Sequence, residues 1–204
     1  MISRISLTAA AILAFSVAMP ASAKIATGSN VSDMTVTDSN GQLHNLSDFA
    51  GQKVVLEWTN HGCPYVVKHY DTGNMQKTQK LATADDAVWL SIVSSAPGKQ
   101  GYVSGEEANE LTTSRDAAPT AVVLDPSGAA GRKFSAKTTP HMFIVDENQT
   151  LVYQGAIDDN SSFRKSSVKN AHNYVLAALD DLESGSSVAV SDTAPYGCSV
   201  KYGS

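Results

Sequence analysis

Cysteine is scarce in this chain of 204 residues: there are two, Cys63 and Cys198, and no Cys-x-x-Cys pair. Dithiol chemistry within one helical turn is therefore unavailable, and soft metals, which want more than one thiolate, are poorly served. Charge is sparse too. Charged residues make up 17% of the chain, the formal net charge is −5, and no basic cluster occurs, which argues against nucleic acid and against an anionic membrane surface. Beyond the first 23 residues no apolar run approaches the roughly 20 residues that a bilayer span needs. There is no glycine-rich phosphate loop, no Gly-x-Ser-x-Gly elbow and no His-Glu-x-x-His helix. Internal repeats are absent, and low complexity is confined to the serine-rich stretch 184–191.

What is present starts with a leader. Residues 1–23 carry one early charge, Arg4, an apolar run from Leu7 to Met19, then Pro20 and the small-residue exit Ala21-Ser22-Ala23. This layout is that of a secretory signal peptide, so the mature chain is expected to start at about Lys24 and to be periplasmic or secreted. In that compartment disulfides persist. The remainder is long enough for one cored domain, 24–185, followed by a C-terminal tail, 186–204, that carries Cys198.

The stretch Val54–Tyr70 organises the domain. It opens as a buried strand, Val54-Val-Leu-Glu57-Trp58, passes the turn-prone Asn60-His61-Gly62, and reaches Cys63-Pro64. Proline suits the first position of a helix, which puts Cys63 at the N-cap, where free N–H groups and the helix dipole favour an anion. A thiol so placed has a lowered pKa, and thiolate is its reactive form. The plainer possibility is a small buried side chain, as most free cysteines are.

These residues resemble a known family. Trp58-Thr-Asn-His-Gly-Cys63-Pro64-Tyr65-Val66 is similar to the active-site segment of the redoxins, the AhpC/TSA and TlpA-like branch of the thioredoxin superfamily. Thr138-Thr139-Pro140-His141 through Asp146 resembles the cis-proline loop and following strand of that fold, and Tyr196-Gly-Cys198-Ser-Val-Lys-Tyr202 resembles the ending of a peroxiredoxin-like bacterial subgroup. The resemblance implies an α/β, thioredoxin-like fold with a mixed central sheet covered by helices on both faces and an N-terminal β-hairpin extension.

The order of elements agrees. Asn40-Gly41 marks the hairpin, a helix from Cys63 breaks at Thr72-Gly73-Asn74, and Val88–Val93 is the next core strand. Ser104-Gly-Glu-Glu107 is a capping box, and 120–124 is a further strand. A hairpin follows over 142–155, and a long last helix is expected on the face Val168, Ala171, Tyr174, Val175, Ala178, Leu179 and Leu182, stopping at Gly185.

The resemblance also implies roles. Cys63 would be the nucleophile, and Cys198 its resolving partner through a Cys63–Cys198 disulfide. Thr139 and Pro140 would present an extended substrate, with Trp58, Pro64 and Tyr65 beside them. Glu57 occupies the place of the buried acid that moves protons at thioredoxin thiols, and a carboxyl in an apolar strand is costly to bury charged. His141 and His61, on the loops that frame the site, are candidates for proton transfer. No cofactor and no metal are expected. The expected partners are a disulfide-bearing protein or a small thiol or peroxide, and a separate periplasmic reductant. Peroxide-reducing members are similar to Pro-x-x-x-Thr-x-x-Cys with a later arginine; here Thr59 stands four residues before Cys63, and Pro140-His141 holds the arginine's place. Two alternatives stay open. One is an inert binding module whose Cys63–Cys198 bond closes a long loop as a staple; the other is a redoxin binding copper through Cys63, His141 and His61.

Overall fold

A computed structural model describes residues 25–203; the expected leader lies outside the described residues. The chain enters through the hairpin β1 (Thr35–Asp38) and β2 (Leu43–Asn45). Its turn is held by the Asp38 carboxylate, which accepts from the Asn40 and Gln42 amides at 2.9 Å each, while Gly41 supplies a φ of 81°.

The core strands β3 (Val54–Trp58) and β4 (Val88–Val93) are buried along their whole length and pair in parallel. Between them run α1 (Pro64–Asp71) and α2 (Asn74–Ala84), separated where Gly73 adopts φ 72°. Next come α3 (Gly105–Ser114), opened by the Ser104–Glu107 capping box, β5 (Ala121–Leu124) and α4 (Ala129–Lys133). The two-residue β6 (Thr138–Thr139) leads into the hairpin β7 (His141–Val145) and β8 (Leu151–Gly155), and α5 (Tyr174–Glu183) and β9 (Cys198–Ser199) complete the chain.

The main sheet has the order β2-β1-β5-β4-β3-β7-β8, with β3, β4 and β5 parallel and the outer strands antiparallel. This is the expected mixed sheet. Because side chains alternate along a strand, β3 divides the core in two. Val54, Leu56 and Trp58 join Phe134 and Phe143 on one face; Val55 joins Val66, Trp89, Met142 and Val175 under α1, α2 and α5 on the other. Each such side chain contributes on the order of 1.5–3 kcal/mol of burial. Among the described residues no helix is long and apolar enough to cross a membrane.

The last helix is shorter than its apolar periodicity implies. Residues Lys165–Val168 form a 3-10 turn, and α5 starts after Asn173, whose side chain accepts from the Leu176 amide at 3.0 Å. A cap satisfied at Asn173 ends the helix there, so Val168 and Ala171 lie outside it. The tail beyond α5 lies along the protein. Thr193 N donates to Gln154 O at 3.1 Å, Val200 N to Lys137 O at 3.1 Å, and Ala96 N to Lys201 O at 2.9 Å.

Candidate active site

Cys63 is the N-cap of α1, with extended backbone (φ −80°, ψ 123°) and Pro64 at the first helical position. Its carbonyl accepts from the Val66 and Val67 amides at 2.9 and 2.8 Å, the start of the helical ladder. The side chain is only 1% exposed, and its thiol donates to the Thr139 carbonyl oxygen at 3.0 Å. Burial alone would push this thiol up. Hydrogen bonds from the Cys198 thiol, from the Thr139 side chain and from the Val66 and Cys198 amides outweigh it and hold Cys63 below its ordinary value. Thr139 Oγ1 is buried and makes no hydrogen bond of standard geometry, so its effect on Cys63 is that of a nearby dipole.

The Thr139–Pro140 peptide is cis, and β6 carries Thr139 into an antiparallel pair with the tail strand β9. Thr139 stands opposite Cys198 in that register, which lays the tail across the mouth of the site. The approach is tight at Gly197. A Cβ there would stand 2.1 Å from Thr139 O, and its φ is 138°, so glycine is required on both counts. Cys198 itself is half-buried, and burial together with its hydrogen bond to Cys63 pushes its pKa up to about 11. The two thiols are therefore unequal. Cys63 gives up its proton first, and Cys198 stands beside it as thiol; both are reduced.

The remaining expected site residues divide by strand parity. Pro64 is exposed and Tyr65 half-buried, its ring 6.2 Å from Phe163 and 5.9 Å from Tyr196, so both sit at the rim of the site. Trp58 does not. It is fully buried on the Phe134–Phe143 face, and its indole donates to Ser94 Oγ at 3.0 Å, so the expected substrate contact is corrected. His141 pairs across from Trp58 and shares its face; the Lys137 amide donates to Nδ1 at 3.2 Å, and the ring lies 4.3 Å from Phe143. That places it on the side of the sheet opposite the Cys63 cluster, which removes the expected proton-transfer role and the copper set that needed it. His61 lines a cavity of about 40 Å³ with Tyr70, Leu111 and Arg115, and burial followed by the Arg115 charge lowers its pKa.

Glu57 is fully buried. Tyr70 OH donates to Oε1 at 2.9 Å, and Ser91 Oγ, Trp89 Nε1 and Gln79 Nε2 donate to Oε2 at 2.8, 3.0 and 3.3 Å. Burial raises its pKa despite these donors. None of its hydrogen bonds reaches Cys63, and the carboxyl ties β3 to α1, α2 and β4. Its geometry is that of an internal anchor, not of a base at the sulfur.

A second polar group was not foreseen. Lys68 and His69 on α1 are buried, as is Asp158 after β8, and all three converge on Tyr196 of the tail. Lys68 Nζ donates to the carbonyls of Asn160 and Ser162 at 2.8 and 2.7 Å and lies 4.7 Å from the Tyr196 ring centre. Burial, reinforced by Lys68, lowers the His69 pKa to about 3, so the ring is neutral. The buried pair Lys68-His69 one turn after Cys63 was the available signal. Apart from Asn74, which is local, its partners lie roughly ninety or more positions away in the chain, too far for any local pattern to indicate.

Comparison with known proteins bears on this arrangement. The Redoxin family model matches residues 26–173, which includes Cys63 and Pro140 and stops before the Cys198 tail. No curated protein matches the sequence. Among solved structures, a hypothetical protein of Sinorhizobium meliloti is 21% identical with a TM-score of 0.76, covering 89% of this chain and 97% of its own. An uncharacterised conserved protein of Geobacillus kaustophilus is 19% identical with a TM-score of 0.74, over 87% and 93%. A Chlorobium tepidum protein assigned as a thiol:disulfide interchange protein is 19% identical with a TM-score of 0.54, over 79% and 98%. The shared fold is thioredoxin-like.

Proposed function

The chain belongs to the Redoxin family, and from that premise we propose that it is an exported thiol–disulfide oxidoreductase with Cys63 as nucleophile and Cys198 as resolving cysteine. One observation carries the reading: a thiol at a helix N-terminus, held below its ordinary pKa, lies within hydrogen-bonding reach of a second thiol whose pKa is raised to about 11. Such asymmetry separates an attacking sulfur from a waiting one.

In the first step the Cys63 thiolate attacks one sulfur of a substrate disulfide. A Cys63–substrate bond forms, the substrate S–S bond breaks, and the second substrate sulfur leaves as thiolate. Cys198, losing its proton to that thiolate or to water, then attacks Cys63 Sγ. The Cys63–Cys198 bond forms and the remaining substrate sulfur leaves, so the substrate is reduced by two electrons and the protein dithiol is oxidised. A dithiol reductant of the same compartment restores the resting state. Thr139, whose carbonyl holds the Cys63 thiol, and Pro140 shape the site from the other side.

Disulfide chemistry is favoured over peroxide reduction because the Pro-x-x-x-Thr-x-x-Cys spacing and its arginine are missing. The leader pattern supports an oxidising destination. Turnover of a model disulfide with a dithiol reductant tests the reading. Cys63→Ser abolishes it, and Cys198→Ser leaves the first attack intact and accumulates a mixed disulfide on Cys63. Turnover surviving Cys63→Ser, or no turnover in the wild type, would leave Cys63–Cys198 as a structural pair.

A further inference from the structure

Tyr196 stands two residues before Cys198, and its hydroxyl is tied to the body of the protein. The direction of each bond follows from the donors. Asn74 Nδ2 can only donate, so His69 Nδ1 accepts at 2.9 Å and the neutral ring carries its proton on Nε2. Nε2–H then donates to the Tyr196 oxygen at 3.1 Å, and Tyr196 O–H donates to Asp158 Oδ1. The same Asp158 oxygen also accepts from the Asn160 amide at 3.1 Å, while Oδ2 is buried without a hydrogen-bond partner. Donors and acceptors alternate through four side chains with no conflict.

We propose that Tyr196 is a positioning residue for the closing step: its hydroxyl, held by Asp158 and His69, sets the tail so that Cys198 meets Cys63. The proposal rests on the reading of these cysteines as resolving and attacking thiols. Anchors elsewhere show why the hydroxyl matters. The tail is fixed before it, where Thr193 bonds Gln154, and after it, where Cys198 and Ser199 pair with Thr139 and Thr138 and Val200 bonds Lys137. Between these points the path runs through Ala194, Pro195 and Gly197, which offer no anchoring side chain. Tyr196 alone in that span reaches the interior, with its ring against Tyr65 and Lys68 and its hydroxyl on a buried carboxylate. Burying Lys68, His69 and Asp158 is costly, and a phenylalanine would hold the tail by packing without them. What the polar set adds is a fixed distance and direction, which closure between two sulfurs needs and adhesion does not.

The test uses the reduced full chain and oxidised glutathione, with acid quench, alkylation and intact mass separating reduced protein, Cys63–glutathione mixed disulfide and closed Cys63–Cys198 form. In each case the glutathione thiolate leaves as Cys198 bonds to Cys63. Tyr196→Phe keeps the ring and loses the hydroxyl. It should form the mixed disulfide at the wild-type rate or faster and close about tenfold to a hundredfold more slowly, the loss expected for a hydrogen bond to a buried charge. The mixed disulfide then accumulates. Closure at the wild-type rate in Tyr196→Phe would overturn the proposal. Because that variant leaves Asp158 without its phenol, Tyr196→Phe with Asp158→Leu is measured beside it. Stability should recover in the double variant while closure stays slow; closure recovering together with stability would reduce the hydroxyl to a structural anchor and overturn the proposal. A wild type that takes glutathione and never closes would instead refute the Cys63–Cys198 reading itself.

Discussion

Gly197→Ala is the sharpest perturbation of the docked tail. The added Cβ would lie 2.1 Å from Thr139 O and 2.7 Å from Thr139 C, both backbone atoms, so no flexible side chain can yield. Thr139 is itself fixed by its pairing with Cys198, and its carbonyl receives the Cys63 thiol. Overpacking of this kind costs about 1–3 kcal/mol. A φ of 138° adds a further penalty of about 1–3 kcal/mol for a residue with a side chain. Together these oppose docking by about 2–6 kcal/mol, a factor of about thirty or more in the docked-to-released ratio. The core clusters on the two faces of the sheet are untouched, so the far-ultraviolet spectrum should hold. What should change is access to Cys63, whose side chain is 1% exposed with the tail in place. The assay is the rate of iodoacetamide alkylation of Cys63 in Gly197→Ala/Cys198→Ser against Cys198→Ser alone, at one pH. We expect a rise of about tenfold or more, given the docking shift worked out above. Equal rates in two folded proteins would refute the claim that the tail covers the site.

Cys198→Ala should raise the pH midpoint of Cys63 alkylation toward the ordinary thiol value of 9.0, whereas Cys198→Ser, which keeps a donor, should leave it depressed; identical midpoints would contradict the assigned hydrogen bond. Glu57→Gln can place its oxygen toward Trp89 and Ser91 and its amide toward Tyr70, so urea unfolding should show a loss below about 1.5 kcal/mol, while Glu57→Leu strands the Trp89 indole and should cost about 2–5 kcal/mol. Because burial raises the Glu57 pKa above 4.5, the unfolded chain releases that proton first. The Glu57 contribution is full below 4.5 and is lost as pH rises through the folded value, so the stability difference between pH 4 and pH 7 should shrink in Glu57→Gln. An unchanged difference would mean that Glu57 titrates normally.

Local chemistry was legible in the sequence and distant chemistry was not. The strand, Cys63, Pro64 and helix form one continuous segment, so N-cap position followed from residue order alone. The same holds for the turn at Asn40-Gly41 and the Ser104–Glu107 box, both present as read. The expected last helix ran too far because apolar spacing cannot register that Asn173 caps a helix of its own. Trp58 and His141 were placed by their nearness in sequence to the active-site loops. Strand parity, fixed by the Trp58–His141 pairing, turns both onto the far face. Nothing near His69 in the sequence indicates Tyr196 and Asp158, which reach it from the tail and from the end of β8. Tyr196 stood in plain view within the C-terminal pattern, but its role depends on a buried carboxylate 38 positions away.

The central claim is that Cys63 and Cys198 form a working redox couple, and its equilibrium with glutathione tests that most directly. Donors around Cys63 stabilise the thiolate and hence the reduced protein, which makes the disulfide easier to reduce. The oxidised full chain, incubated across glutathione buffers and quenched by alkylation, should be half-reduced between about −120 and −270 mV, the range of catalytic dithiols. A couple that stays oxidised to below about −300 mV, as structural disulfides do, would contradict the account.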